Sequence, residues 1–148
     1  MKKTLMIMVG CPGSGKSTYA RKVMVKLNSM FGYRVIKCSA DDYFLDKAGV
    51  YKFNRDKIGN AHGYCKDQAR KAMRSGWDLV VIDNTNTTHK ERLPYIEMAK
   101  EWDYRVVQRV IGNTDEESIK LYAQRNVHQV PIDSIRRMAE RIRGSIKK

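Results

Sequence analysis

The chain has 148 residues, of which 42% are hydrophobic, and this is enough for one domain of ordinary size with a real core. No stretch approaches the roughly 20 apolar residues of a membrane span, and the three cysteines lack paired metal spacing, which argues against a membrane protein and favours reduced thiols. The net charge of +13 lies in residues 1–40 and 104–148, because the positive and negative charges of residues 41–103 balance. This excess of positive charge favours a polyanionic partner such as nucleic acid. The alternative is a solvated basic surface without such a partner.

Apolar periodicity predicts alternating strands and helices over residues 1–148, read as a single domain. The strands lie at about 5–9, 34–39, 79–83 and 104–111. The first two helices lie at 16–30 and 54–74, the second capped by Asn54 with a buried face of Ile58, Ala61, Cys65, Ala69 and Ala72. Further helices begin at Thr88, which forms a capping box with Glu91, at Thr114 and at Ile132, the last running to about 143. This order predicts an α/β fold with a mostly parallel sheet, helices on both faces and ligands at the carboxyl ends of the strands.

The first strand runs into a glycine-rich segment with the pattern Gly, four residues, Gly-Lys-Ser. The segment consists of Gly10, Cys11, Pro12, Gly13, Ser14, Gly15, Lys16, Ser17 and the following Thr18. Such a loop curls so that backbone N–H groups point at phosphate oxygens, and the helix after it adds its positive end. The pattern therefore predicts an ATP site in which Lys16 reaches the β- and γ-phosphates and Ser17 ligates Mg²⁺.

Two acidic residues follow the second strand. Asp41 would stand across the cleft from the γ-phosphate, where it could orient an acceptor hydroxyl and take its proton. Asp42 is better suited to a helix cap or a structural partner, and simple capping of a short helix is an alternative for both. We predict that Asp41 is the general base.

The third strand also ends in polar residues, Asp83 and Asn84. An acid that closes an apolar strand in a phosphate-loop protein usually holds Mg²⁺ directly or through water. We therefore predict that Asp83 and Asn84 both belong to the site, Asp83 as a ligand of the metal and Asn84 as a contact of the acceptor. Capping of the following loop is the alternative.

A basic segment at 125–133 lies between the last two helices and predicts a lid over about residues 114–143. Arg125 is the best placed to neutralise charge on a transferring phosphoryl group. Arg136 and Arg137 are alternatives, although a solvated basic helix accounts for that pair.

The chain resembles the kinase domain of bacteriophage-type 5′-polynucleotide kinase and related small P-loop kinases. The resemblance rests on the phosphate loop, on Asp41-Asp42-Tyr43, on Thr85-Asn86, and on Val130-Pro131-Ile132-Asp133 with Arg125 ahead of it. It implies an adenylate-kinase-like P-loop fold of three layers, with four core strands ordered 2-3-1-4 and a helical lid. It also implies Asp41 as general base and Lys16 and Arg125 on the phosphates.

Two departures from that family lie on the acceptor side. Phe44 replaces the acceptor-binding arginine, and it would either stack on a base or sugar of the acceptor or pack beneath the turn at Asp41. Asn84 replaces the aspartate before the Thr-Asn pair. The resemblance therefore supports the ATP chemistry better than it supports the identity of the acceptor.

The function predicted from the sequence is an ATP- and Mg²⁺-dependent kinase that acts on a hydroxyl of a nucleic acid, either a 5′ end or a modified base. A nucleoside or small-molecule kinase is one alternative, and an ATP-binding switch without an acceptor is another, against which Asp41 argues. We expect a cytoplasmic protein with no membrane association and no evident protein partner.

Overall fold

The two most apolar strands form the centre of a parallel sheet in the computed structural model, which describes residues 2–126 and 128–146. Every residue of β1 (Thr4–Val9) and β3 (Leu79–Ile82) is buried. The outer strands are β2 (Val35–Cys38) and β4 (Arg105–Val110), so the order is β2-β3-β1-β4 with all neighbours parallel. The predicted order 2-3-1-4 is confirmed.

Within the described residues, five helices cover the two faces of this sheet: α1 (Lys16–Phe31), α2 (Ile58–Arg74), α3 (His89–Glu101), α4 (Glu116–Arg125) and α5 (Ile132–Ile146). Successive side chains of a strand point to opposite faces. Leu5 and Ile7 accordingly pack in one core cluster with α2 and α3, while Met6 and Met8 pack in another with α1. The predicted helices on both faces are confirmed.

Three details of the predicted elements are wrong. Ile58 is 41% exposed, because the first turn of α2 projects beyond the core that Ala61 and Cys65 enter. Asn54 caps a short 3-10 turn, Arg55–Lys57, which leads into α2 and is not itself part of it. The cap of α4 is Asp115 instead of Thr114, since the Asp115 carboxylate accepts the N–H of Ser118.

The helices α4 and α5 sit at the carboxyl end of β1. Ile119 and Tyr122 of α4 share a buried cluster with Ile135 and Ile142 of α5, and Val9 and Cys11 complete it. The predicted lid thus has its base in the core beside the glycine-rich loop, and Val127, within the lid range, lies outside the described residues. None of the helices in the described ranges combines the length and the hydropathy that crossing a membrane requires.

Candidate active site

The glycine-rich loop connects β1 to α1 and is closed by backbone hydrogen bonds. The N–H of Gly10 donates to the carbonyl of Thr85 at 3.1 Å, and that of Ser14 donates to the carbonyl of Cys11 at 3.1 Å. Gly15 is the N-cap of α1, so no side chain caps this helix, and its first turn, all of which the structure describes, holds no acid. The positive end of α1 is therefore left for an anion.

The loop fits closely between α4 and the residues after β4. A Cβ atom on Gly13, whose φ is +80°, would lie 2.5 Å from the carbonyl oxygen of Tyr122, and one on Gly10 would lie 2.9 Å from that of Ile111. Beside these glycines the hydroxyl of Ser14 is buried without a partner among the described residues. A cradle of this shape with an unpartnered hydroxyl fits a phosphate group.

Lys16 projects into the same cradle, and its ammonium donates to the carbonyl of Cys11 at 3.0 Å. Burial lowers the pKa of Lys16, while the charges of Asp83, Cys11 and Asp41 raise it in part. Lys16 therefore lies near the carboxylates at the ends of both β2 and β3. A bound anion would compensate the cost of keeping this buried ammonium charged.

Ser17 and Asp83 meet across the sheet, since the Ser17 hydroxyl donates to Asp83 Oδ2 at 2.7 Å. Asp83 is 6% exposed, and its N–H extends the sheet by donating to the carbonyl of Cys38 at 2.9 Å. A hydroxyl and a carboxylate are the oxygen ligands that Mg²⁺ prefers, so this pair fits the metal that the fold implies.

Asn84, which was assigned to the acceptor, is held by contacts within the fold. Its Oδ1 accepts the N–H of Ala40 at 2.9 Å, and its Nδ2 lies 3.4 Å from the sulfur of Cys65. Asn84 thereby ties the end of β3 to the turn that carries Asp41. The structure thus places Asp83 against Ser17 and Asn84 in a bracing position beneath Asp41.

Asp41 lies in a 3-10 turn, Ala40–Phe44, that the hydroxyl of Ser39 caps. Its side chain is 54% exposed, and its Oδ2 lies 3.4 Å from Nε2 of His128. The ring of Tyr51 lies against that of His128, with centroids 4.2 Å apart and planes tilted by 33°. Burial, the charge of Asp41 and a hydrogen bond to Asp41 raise the pKa of Tyr51 to about 12.

His128 and Tyr51 are therefore neighbours of the candidate base that the sequence reasoning missed. No spacing along the chain links them to Asp41, because they come from the lid and from the irregular segment after β2. Asp42 behaves as predicted for a structural residue. It is paired with Lys37 at 3.9 Å, and burial raises its pKa while Lys37 lowers it.

Phe44 is 8% exposed, and its ring makes edge contacts with Tyr43, Tyr51 and Phe53 at centroid distances of 5.5, 6.0 and 5.1 Å. A ring enclosed by three others has no free face for a base of the acceptor. Between the two alternatives for Phe44, stacking on the acceptor and packing beneath the turn at Asp41, the burial of its ring favours packing.

Arg125, at the end of α4, reaches the phosphate loop. Its Nη2 donates to the carbonyl of Gly13 at 2.8 Å, and its guanidinium lies 5.8 Å from the centroid of the Tyr122 ring. Arg136 is instead engaged by Glu116 and Asp133 at 2.7 Å each. Of the three arginines considered for the lid, Arg125 is the one placed at the loop.

The sheet order and the loop together define a nucleotide-binding P-loop protein with a small P-loop kinase fold. The sequence model of the AAA domain family matches residues 5–144, nearly the whole chain, and the chain belongs to this family.

Two relatives illustrate this membership, and one solved structure shows the same fold. Human NEDD4-binding protein 2 is 33% identical over 136 residues, which cover 92% of this chain and 7% of the relative. A protein of Acanthamoeba polyphaga mimivirus, provisionally named a bifunctional polynucleotide phosphatase/kinase, is 31% identical over 119 residues, 80% of this chain and 23% of the relative. A chain of the Pnkp1/Rnl/Hen1 RNA repair complex has the same fold, with a TM-score of 0.74 at 15% identity over 99% of this chain and 46% of that one.

The chain thus spans less than a quarter of either relative. The named activity of a relative belongs to a much longer protein.

Proposed function

We propose that this chain is an ATP-dependent kinase that transfers the γ-phosphoryl group to a hydroxyl of a nucleic acid, either a 5′ end or a modified base. The observation that carries the proposal is the exposed carboxylate of Asp41, which lies 3.4 Å from His128 of the lid and whose charge acts on Lys16 of the phosphate loop. A nucleotide switch has no use for a base on the acceptor side. Asp41 therefore supports a phosphotransferase over a switch module.

The loop residues would hold the triphosphate in this reaction. The N–H groups at the start of α1 and the ammonium of Lys16 bind phosphate oxygens, and Ser17 with Asp83 would hold Mg²⁺, which supplies positive charge to the phosphates when bound. Asp41 accepts the proton of the attacking hydroxyl. Arg125 approaches the loop from the lid and stabilises the charge that builds on the transferred group.

The charge of the chain supports a nucleic acid as acceptor. No acidic residue occurs before Asp41, while eight basic residues do, Lys16 of the phosphate loop among them. The mimivirus relative, which is named for a polynucleotide activity, points to the same substrate class. The alternative is a nucleoside or other small-molecule kinase, which the missing arginine at position 44 favours, because Phe44 cannot grip an acceptor phosphate.

The test is transfer from γ-labelled ATP to a panel of 5′-hydroxyl oligonucleotides, base-modified DNA and nucleosides. We expect label on an oligonucleotide or a modified base. In Asp41→Asn the rate of labelling should fall about 10²- to 10⁴-fold. Asp42→Asn is the matched control, because it removes a neighbouring carboxylate that faces Lys37, and it should retain most activity. Label on a nucleoside alone would select the small-molecule kinase, and ATP binding without any labelled acceptor would contradict the proposal.

A further inference from the structure

A groove of about 330 Å³ lies between α1 and β2, away from the lid. Its walls include Ser17, Arg21, Val25 and Asn28 of α1 and Val35 and Lys37 of β2. These α1 residues lie four, four and three positions apart, so they form one stripe along the helix. The opposite wall is an edge strand, because β2 lies at the end of the strand order and pairs with β3 on one side.

One end of this groove adjoins the phosphate site, because Ser17 lines the groove and also donates to Asp83. The groove runs from Ser17 to Asn28, eleven residues or about 16 Å along the helix. This is about the length of five nucleotides stacked as in one strand of a duplex, at about 3.4 Å each. A chain that lies in the groove would therefore have one end at the reaction centre.

The walls combine positive charge with apolar surface. Arg21 and Lys37 supply the charge, and the ammonium of Lys37 is 3.9 Å from the carboxylate of Asp42, so Arg21 is the less compensated of the two. The apolar part of the walls includes Val25, which is 59% exposed, and the half-buried Val35. Basic groups along an apolar channel match the phosphates and the flat bases of an unpaired strand.

Aromatic rings continue the surface beyond the far end. The amide of Asn28 donates to the carbonyl of Tyr33 at 3.0 Å, and the ring of Tyr33 stacks on Phe31 at 5.2 Å. Phe31 is 57% exposed. Stacked, exposed rings next to a basic channel are the platforms on which bases of a single strand lie.

From these observations we infer that the groove between α1 and β2 binds the single-stranded part of a nucleic-acid acceptor beyond its reacting end. This inference rests on the proposed function and extends it, since it names an unpaired strand of several nucleotides as the acceptor. A nucleoside occupies the reaction centre without reaching Arg21, whereas an oligonucleotide uses the whole groove.

The experiment compares Arg21→Gln with Lys22→Gln, which removes the same charge from the next residue of α1, outside the groove. Binding of a fluorescent single-stranded 5′-hydroxyl decamer is followed by anisotropy without ATP, over a range of salt. We expect Arg21→Gln to raise Kd about tenfold and to reduce the salt slope by about 0.7, and Lys22→Gln to change both much less. Val25→Asp, which places a negative charge in the groove, should weaken the decamer at least as much.

Kinetics with γ-labelled ATP complete the test. Arg21→Gln should raise KM for the decamer and leave KM for a dinucleotide unchanged. Equal effects of Arg21→Gln and Lys22→Gln would overturn the inference, as would equal effects on the two acceptors or a wild-type affinity in Val25→Asp. A wild-type protein that binds the decamer through Arg21 but labels no acceptor would refute the proposed function while supporting the groove, so the two failures are distinguishable.

Discussion

Replacement of Gly13 by alanine should disable the phosphate loop, because the added Cβ atom would clash with the backbone of α4. The new Cβ would lie 2.5 Å from the carbonyl oxygen of Tyr122, whereas ordinary contacts begin at 3.4 Å, so the loop and α4 must separate by about 0.9 Å. Neither partner can rotate away, because the opposing atom is backbone. The φ of +80° adds about 1–2 kcal/mol of strain for a residue with a Cβ.

A shift of this size falls on the atoms that would bind phosphate. Misplacement by about 1 Å in an active site costs about 10²-fold in rate. We therefore expect Gly13→Ala to lose at least 10²-fold in kcat/KM for phosphoryl transfer from labelled ATP. We also expect its free energy of unfolding, measured with urea by circular dichroism, to fall by about 2–5 kcal/mol, from the strain together with the overpacking.

Gly32→Ala is the matched control for the backbone strain alone. Gly32 ends α1 at a φ of +67° with nothing within 4 Å of a built Cβ. This variant should lose about 1–2 kcal/mol of stability and keep the activity of the wild-type protein. If Gly13→Ala were no less stable than Gly32→Ala and transferred phosphate at the wild-type rate, the close approach of the loop to α4 would have no energetic consequence.

Three other outcomes are expected. Lys16→Ala should abolish labelled phosphate transfer while the urea midpoint changes little, and wild-type turnover would exclude the role of Lys16 on the phosphates. Arg125→Ala should lower kcat more than it raises KM for ATP in steady-state transfer assays, because the charge it meets grows towards the transition state; a pure KM effect would make Arg125 a ground-state clamp. Cys11, Cys38 and Cys65 are each no more than 2% exposed, and burial raises the pKa of each thiol, that of Cys38 to about 12. Because the thiolate is the reactive form, a disulfide reagent at pH 8 should modify these cysteines slowly in the folded protein and rapidly in urea. The free energy of unfolding should fall as the pH rises above about 8.5, because the unfolded thiols then ionise while the buried ones do not. A thiol that reacts fast in the folded protein would contradict the burial of the three cysteines.

The parts of this protein that the sequence by itself determined are those encoded by local pattern. Leu5 to Val9 and Leu79 to Ile82 are unbroken apolar runs, which are typical of buried parallel strands, and each is followed by polar or glycine residues that mark its end. The phosphate loop could be predicted because its residue pattern is consecutive in the chain, from Gly10 to Ser17. For the same reason, the pairing of Thr88 with Glu91 at the start of α3 was readable from spacing alone, and the Thr88 hydroxyl accepts the N–H of Glu91 at 3.2 Å.

Only the tertiary structure decided which distant side chains meet. Ser17 and Asp83 are separated by 66 positions, and their contact depends on β3 lying next to β1 in the sheet. His128 reaches Asp41 because α4 and α5 rest on Val9 and Cys11, a packing that no local periodicity reveals. Phe44 illustrates the same limit. An aromatic residue beside a predicted base is compatible with stacking or with packing, and the choice was made by rings that the fold brings in from elsewhere in the chain.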